Sequence, residues 1–221
     1  MNLVSPMFSS AVEIDEGDVF SLILENQKLF KRYLIDLHNQ VNDLDGEIVL
    51  SENNKILSIK KHIDILYRFT PFEINTKTML NHIHSKMNEK AINAENYLKT
   101  AEVLSIIQRY MEELCFDMPI EMEYQKLDIF SVIKSIHPTI ANDNSNDIET
   151  IIDYMSLMLD FEPKKLFVFV NLRSYFLDEE IELFVKTVKL RQMQVLLLES
   201  SSRQRIDGIK QLTIDCDLCE I

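Results

Sequence analysis

Two uninterrupted apolar runs constrain the fold of this chain more than any other feature. Residues 166–170 read Leu-Phe-Val-Phe-Val and residues 195–198 read Val-Leu-Leu-Leu, with about one helix's worth of chain between them. An unbroken apolar run of this length is typical of a strand buried on both faces, as in a parallel sheet covered by helices. The pattern therefore predicts a strand–helix–strand unit and an α/β fold.

The segment between the two runs supplies the helix of that unit. Acidic side chains lie at 178–180 and basic side chains lie within 186–191, an order that complements the helix dipole. The apolar positions recur at helical spacing and would cover the sheet; they are Ile181, Phe184, Val185 and Val188. Units of this kind form the core of many nucleotide-binding proteins.

The rest of the composition excludes several classes of protein. The 221 residues include only three glycines and five prolines, which argues against a turn-rich all-β fold and favours long helices. No apolar run is long enough to span a bilayer and no signal peptide is evident, so a cytoplasmic protein is expected. The three cysteines provide no disulfide framework. Cys216 and Cys219 have zinc-ligand spacing, but a closed zinc site needs four ligands.

The order of patterns along the chain predicts a discontinuous α/β domain with an all-helical insertion. Residues 11–24 resemble a β-hairpin that turns at Gly17, residues 26–41 form a helix capped by Asn26, and residues 55–66 are ambiguous between strand and helix. Helices are then predicted at 76–115, with a break near 88–91, at 127–136 and at 147–159, and the polar run 142–146 is predicted as a loop. The predicted domains are 1–69 with 161–221, and 70–160.

No phosphate-binding loop accompanies the predicted sheet. The strand at 19–24 is followed by Glu25-Asn-Gln-Lys28, whereas glycine amides are needed to wrap nucleotide phosphates. ATP hydrolysis is therefore not expected. Glu199 ends the strand at 195–198, where some ATPases hold a metal-linked carboxylate, but a solvated strand-end residue is the favoured interpretation.

An acidic stretch is a candidate cation site. Six carboxylates fall within seventeen residues: Glu112, Glu113, Asp117, Glu121, Glu123 and Asp128. Pro119 argues against a helix here, and in an extended chain Glu121 and Glu123 would share a face, which suits a hard cation such as Ca²⁺. The residues alone favour a solvated acidic surface.

The charge is unevenly distributed. The formal net charge of −13 argues against nucleic acid as a partner, but residues 55–109 carry 9 basic and 5 acidic side chains, a net charge of +4. Helical spacing places Lys86 and Lys90 on one face. Such lysines would neutralise DNA phosphates without reading bases. Scattered solubilising lysines are an equally good interpretation.

Collinear motifs reveal a family resemblance over residues 45–200. The strongest is Lys164-Lys-Leu-Phe-Val-Phe-Val-Asn171, followed by Tyr175-Phe-Leu-Asp-Glu-Glu-Ile181 and Val195-Leu-Leu-Leu-Glu199. Shorter motifs keep the same order: Asp64-Ile-Leu66, Phe72-Glu-Ile-Asn75, Ile120-Glu-Met-Glu-Tyr124, Ile133-Lys-Ser135 and Asp147-Ile-Glu149. In these motifs the chain resembles the ring-forming, DNA-end-binding accessory protein of spacer acquisition in type II-A CRISPR systems.

The resemblance implies an α/β head, built on an ATPase-like sheet that has lost its phosphate loop, and an inserted helical leg. It also implies a homotetrameric ring around the end of a DNA duplex, bound calcium, and as partners the other CRISPR adaptation proteins and the effector nuclease. The family's acidic motif falls on Glu121 and Glu123, with Asp117 upstream, and its leg lysine falls on Lys134. Asp128 from the acidic stretch completes the calcium candidates, and the remaining candidates for DNA contact are Lys86, Lys90, Lys99 and Lys126.

The sequence therefore predicts a non-enzymatic, sequence-independent binder of double-stranded DNA ends. Two alternatives remain open. The first is a divergent metal-dependent nucleotidase or nuclease that uses the acids around Glu121 or Glu199. The second is an acidic protein-interaction scaffold without DNA contact.

Overall fold

The computed structural model describes residues 1–123, 125–141, 146–162 and 165–221. The chain divides into two compact units. The first, Met1–Phe72 with Asn144–Ile221, is called the α/β unit here, and the second, Glu73–Asp143, is called the helical unit. Most of the predicted loop at 142–146 lies outside the described residues, as do Tyr124 and Lys164 of the family motifs.

A five-stranded parallel sheet is the centre of the α/β unit. Its strand order is β6-β7-β8-β3-β9, and a second, antiparallel sheet has the order β2-β1-β4-β5. The strands are β1 Asn2–Val4, β2 Val12–Glu13, β3 Val19–Leu24, β4 Val49–Glu52, β5 Lys55–Leu57, β6 Ile63–Leu66, β7 Leu166–Val170, β8 Gln194–Glu199 and β9 Ile209–Ile214. Every residue of β3, β7 and β8 is buried, as expected for strands covered on both faces.

The helices lie mostly where the sequence places them. They are α1 Gln27–Val41, α2 Ile59–His62, α3 Lys77–Ile92, α4 Tyr97–Phe116, α5 Ile129–Ile136, α6 Asp147–Phe161 and α7 Asp178–Leu190, with a 3₁₀ turn at Leu172–Ser174. The ambiguous stretch at 55–66 resolves into β5, the single turn α2, and β6. The side chain of Asn26 caps α1 by accepting hydrogen bonds from the amides of Lys28 and Leu29.

The predicted strand–helix–strand unit is present. Strand β7 pairs in parallel with β8, with Phe167 opposite Val195, and α7 connects them. The apolar side of α7 is buried at all four predicted positions, from Ile181 to Val188. The mixed α/β class and its parallel sheet are therefore confirmed.

The predicted hairpin at 11–24 is wrong in its pairing. Strand β2 pairs with β1 in the antiparallel sheet, whereas β3 lies between β8 and β9. Both edges of β3 are thus occupied by parallel neighbours, and its six buried residues suit that central place. Gly17 does form the turn before β3, with a φ of +82°.

Helix α6 lies in the α/β unit, although the sequence reading grouped residues 70–160 in the helical domain. Its apolar side is buried, including Ile151 and Met155, and the Tyr154 hydroxyl donates to the Asp64 carboxylate of β6 at 2.7 Å. Burial raises the pKa of Asp64, against the lowering effect of the Tyr154 hydroxyl. A helix pattern alone does not show which unit a helix packs against.

Candidate functional site

The connection from β3 to α1 is the position of a phosphate loop in a nucleotide-binding sheet. Here it consists of Glu25 and Asn26 and contains no glycine. The Asn26 side chain accepts from the first amides of α1 and donates to the carbonyl of Cys216 at 2.9 Å. Two amides that would face a phosphate are therefore satisfied within the chain.

The carboxyl end of β8 holds a buried polar network. Glu199 is only 2 % exposed and accepts a hydrogen bond from the Arg173 amide at 3.2 Å. The Arg173 guanidinium, also buried, donates to Asp178 at 2.9 Å and to the Gln204 carbonyl at 2.7 Å. Burial raises the pKa of Glu199 to about 7, although the Arg173 amide and guanidinium lower it. The interpretation of Glu199 as a solvated residue is therefore wrong.

Because the Glu199 carboxyl group is buried, we expect the folded protein to become less stable as the pH rises. The folded pKa of about 7 lies above the ordinary value of 4.5, so the folded state holds a proton that the unfolded state loses, and stability falls between these values. We expect Glu199→Gln to be more stable than the wild type at pH 8, by about 1–3 kcal/mol, and to gain less than about 1 kcal/mol at pH 5.

Thermal unfolding midpoints of the two proteins at both pH values measure this difference. Glu179→Gln is the matched control, because Glu179 is exposed and the substitution removes the same charge. An equal gain from Glu199→Gln at pH 5 and pH 8 would show that the carboxyl group does not titrate in this range.

The predicted calcium ligands are exposed side chains of the helical unit. Asp117 follows the last turn of α4, and Glu121 and Glu123 lie in the irregular segment beyond it. Asp128 caps α5, where its carboxylate accepts from the Ser131 amide at 3.0 Å and the Ser131 hydroxyl at 2.6 Å. These hydrogen bonds lower the pKa of Asp128. Asp128 is thus already used as a helix cap.

These carboxylates do not form a metal site in the described chain. Within residues 1–123, 125–141, 146–162 and 165–221, no three His, Cys, Asp or Glu side chains come together to hold an ion. A Ca²⁺ ion takes six to eight oxygen ligands in proteins. Calcium binding therefore stays a prediction from the family resemblance.

Two of the predicted DNA-contacting lysines come together. Lys90 near the end of α3 and Lys99 near the start of α4 are exposed and line one groove of about 330 Å³. The sequence places these residues nine positions apart, and the reversal of the chain between the helices brings them to the same groove. We call it the lysine groove.

The other three lysines are exposed but lie elsewhere in the helical unit. Lys86 forms an ion pair with Glu89 at 3.5 Å, and Lys126 lies between α4 and α5. The Lys134 ammonium stacks over the Phe130 ring, 4.0 Å from its centroid. None of these contacts tests a role in DNA binding, so all five lysines stay predictions.

Polar residues at the α3–α4 corner position the lysine groove. The sequence alone did not predict this role. Asn96 donates to the Lys90 carbonyl at 2.9 Å, and the Thr100 hydroxyl donates to the Ala91 carbonyl at 2.7 Å. Asn93 ends α3 and accepts from the amides of Glu95 and Asn96. The helix break thus falls at 93–96 rather than at 88–91. Asn93 and Asn96 are the sequence signal that could have placed the break correctly, because asparagine favours turns and helix ends.

Helix α4 presents a second apolar side to solvent. None of its 20 residues is buried, and Leu104 and Ile107 are half-buried. Three exposed apolar side chains follow at a spacing of four: Ile106, Tyr110 and Leu114. We call this set the α4 stripe. Contiguous exposed apolar surface of this kind marks interaction sites.

Over the described residues, no helix is both long and apolar enough to cross a membrane.

Comparison with known proteins identifies the family. The fold is similar to the crystal structure of Stu0660 of Streptococcus thermophilus, with a TM-score of 0.63 and 13% sequence identity over 96% of this chain and 74% of that one. Residues 40–218 match the family model described as CRISPR-associated protein (Cas_Csn2). The chain therefore belongs to the Csn2 family of CRISPR-associated proteins.

Proposed function

We propose that this protein binds the ends of double-stranded DNA without sequence preference, as a homotetrameric ring that assists spacer acquisition. Its partners would be other CRISPR adaptation proteins and the effector nuclease, in the cytoplasm. Family membership supports the CRISPR-associated role. The lysine groove is the observation that carries the DNA-binding part of the proposal, because it gathers positive charge on a chain with a net charge of −13.

The chemistry of the lysine groove suits a phosphate backbone. Lysine ammonium groups act as point charges that attract phosphates without recognising bases. Asn96 and Thr100 also line the groove, but their side chains donate to backbone carbonyls of the same corner. The remaining four lining residues are apolar: Met87, Ala91, Val103 and Ile129. Attraction to phosphates would therefore rest on the two ammonium groups, which do not read sequence.

We further propose that the α/β unit is a degenerate P-loop ATPase-like scaffold without catalysis. The first strand of its parallel sheet, β3, leads directly into α1, as in strand–loop–helix phosphate sites. The two-residue connection and its asparagine cap leave no glycine cradle. Glu199 is buried against Arg173, which disfavours a metal-linked role for its carboxylate.

The α4 stripe supports the assembly part of the proposal. Fully burying a large apolar side chain contributes about 1.5–3 kcal/mol. The three stripe residues are 41–59% exposed, so each would add part of that amount to association. Ring assembly would also bring lysine grooves from several copies onto one DNA duplex. Several weak electrostatic contacts then act together.

Calcium remains a separate part of the proposal. It rests on the family resemblance of Asp117, Glu121 and Glu123, which are exposed and apart from any three-ligand cluster in the described residues. DNA binding should therefore be measured with and without the ion. A binding curve that does not change on chelation would overturn the calcium proposal and leave the DNA proposal standing.

A gel-shift titration with blunt linear duplexes tests the proposed function. We expect binding at low salt with calcium present, equal affinity for unrelated sequences, and a linear fall of log affinity with log salt concentration. A covalently closed circle of the same sequence is the control, because it has no ends. Equal affinity for the circle would contradict end binding, and no binding to either DNA would overturn the proposal. Cleavage of the labelled DNA in Mg²⁺ would favour a nuclease instead.

A further inference from the structure

The segment after β9 carries two exposed thiols on one closed turn. Thr213 and Ile221 exchange backbone hydrogen bonds of 3.1 and 2.8 Å, and the Asp215 amide donates to the Cys219 carbonyl at 3.0 Å. Residues 213–221 therefore form a small hairpin with a loop at 215–219. Cys216 and Cys219 both lie in this loop, exposed and not in a disulfide, and the Cys216 thiol donates to the Glu25 carbonyl at 3.9 Å.

Hydrogen bonds within the loop close it into a tight turn. The Leu218 amide donates to the Asp215 carbonyl at 3.1 Å, and Leu218 adopts a φ of +66°, which reverses the chain between the cysteines. The Asp215 carboxylate accepts from the amides of Asp217 at 2.9 Å and Cys219 at 2.8 Å. The turn thus keeps two thiols, three positions apart, on a chain that folds back on itself.

A metal site does not account for this pair. A structural zinc site needs four ligands. Within the described residues, no third His, Cys, Asp or Glu joins the two thiols to form such a group. The third cysteine, Cys115, is half-buried in α4 of the helical unit. Thiol–disulfide exchange is the remaining chemistry of a Cys-x-x-Cys turn.

We propose that Cys216 and Cys219 form a dithiol that closes reversibly to an intrachain disulfide by exchange with a low-molecular-weight disulfide. One cysteine thiolate attacks a sulfur of the small disulfide and releases one small thiol, leaving a mixed disulfide. The other cysteine thiolate attacks the protein sulfur of that intermediate and releases the second small thiol. The protein is oxidised by two electrons, and the protons of its thiols pass to the two released thiolates.

The hairpin connects this site to the rest of the α/β unit. The Cys216 carbonyl accepts the hydrogen bond from Asn26, the cap of α1. The Glu220 carboxylate accepts from the Ser10 amide at 3.1 Å and the Ser10 hydroxyl at 2.5 Å, and also from the Ser9 amide. A disulfide that restricts this turn therefore stabilises contacts with α1 and with the segment before β2.

Counting thiols in the full chain tests the proposal. The reduced protein has three free cysteines, and after incubation with oxidised glutathione and denaturation we expect one titratable thiol per chain. The mass should fall by two hydrogen atoms, and a reductant should restore all three thiols. Cys216→Ser and Cys219→Ser should instead each retain one glutathione adduct on the remaining cysteine of the turn. Three thiols after oxidation, or disulfide-linked dimers, would overturn the proposal.

Thermal unfolding measures the structural consequence. We expect the oxidised wild type to unfold a few degrees above the reduced wild type, because closing the turn restricts the unfolded chain. The Cys216→Ser, Cys219→Ser double variant should show no difference between the two conditions. An unfolding temperature that oxidation leaves unchanged or lowers in the wild type would overturn the stabilising role. These outcomes do not depend on whether the protein binds DNA.

Discussion

Replacing Lys90 and Lys99 together by glutamate should weaken the binding of double-stranded DNA by about a hundredfold for each chain that contacts the duplex, at roughly 0.1 M salt. Both residues line the lysine groove. Each phosphate contact that is lost removes the release of about one counterion, which is worth close to tenfold at this salt concentration. The introduced carboxylates would also repel the phosphates. Fluorescence anisotropy of a labelled blunt duplex over a salt series measures both affinity and salt slope, and the slope should decrease by about two for each bound chain.

The matched control is Lys31→Glu with Lys186→Glu. It changes the net charge equally, and both side chains are exposed in the α/β unit. Lys186 has only a loose ion pair with Glu182, at 3.8 Å, so little stability is lost. We expect the control to bind nearly as tightly as the wild type. Equal weakening in both variants would mean that total charge matters rather than the groove, and an unchanged groove variant would place the DNA contact elsewhere.

Local patterns were sufficient to predict the strand–helix–strand unit. The apolar runs at 166–170 and 195–198 are buried along their whole length, and α7 buries the four predicted positions. A strand covered on both faces has no polar alternation, and a helix against a sheet shows one apolar side. Both signals come from residues that are close together in sequence, so they can be recognised without knowledge of distant contacts.

Predictions that depend on long-range pairing were less successful. Strand β2 pairs with β1 rather than with β3, and α6 packs in the α/β unit through contacts such as Tyr154 with Asp64. The environment of Glu199 was also misjudged, because Arg173 reaches it from the turn after β7. Each of these features depends on a partner segment that the pattern within one element does not reveal. Periodicity identifies an element but not its neighbour.

The predicted DNA-binding lysines show the same difference between local patterns, which the sequence reveals, and the grouping of separate helices, which it does not. Helical spacing indicated that Lys86 and Lys90 share a face, but the structure groups Lys90 with Lys99 in the lysine groove. That grouping depends on where α3 ends, and Asn93 sets the end by accepting hydrogen bonds from the amides of Glu95 and Asn96. A shift of the break by a few residues changes which lysines meet. Helix boundaries are the least reliable part of sequence-based prediction.

Replacing Ile106 and Tyr110 together by aspartate should dissociate the proposed tetramer into single chains. Both residues belong to the α4 stripe and are 52% and 59% exposed. A charge buried in an apolar interface without a partner costs several kcal/mol, and each ring interface would contain the change. Light scattering should show a mass near the chain mass of 25.9 kDa for the variant, against about four times that value for the wild type.

A matched variant separates this effect from a general loss of solubility or folding. Leu183→Asp with Leu190→Asp introduces the same two charges at α7 residues that are 51% and 84% exposed, outside the helical unit, and it should keep the wild-type mass. Circular dichroism should show unchanged helix content in both variants, because the replaced side chains are exposed. A wild type that is already a single chain, with or without calcium, would overturn the ring.

Comparing the two pairs of substitutions should also show whether DNA binding depends on assembly. Loss of the lysine groove removes phosphate contacts but leaves the α4 stripe intact, so the Lys90→Glu, Lys99→Glu variant should keep its mass while losing affinity. Dissociation removes the cooperation between copies, so the Ile106→Asp, Tyr110→Asp variant should lose both. If the dissociated chain bound DNA ends as tightly as the wild type, a single helical unit would be sufficient for binding and the ring would serve another purpose.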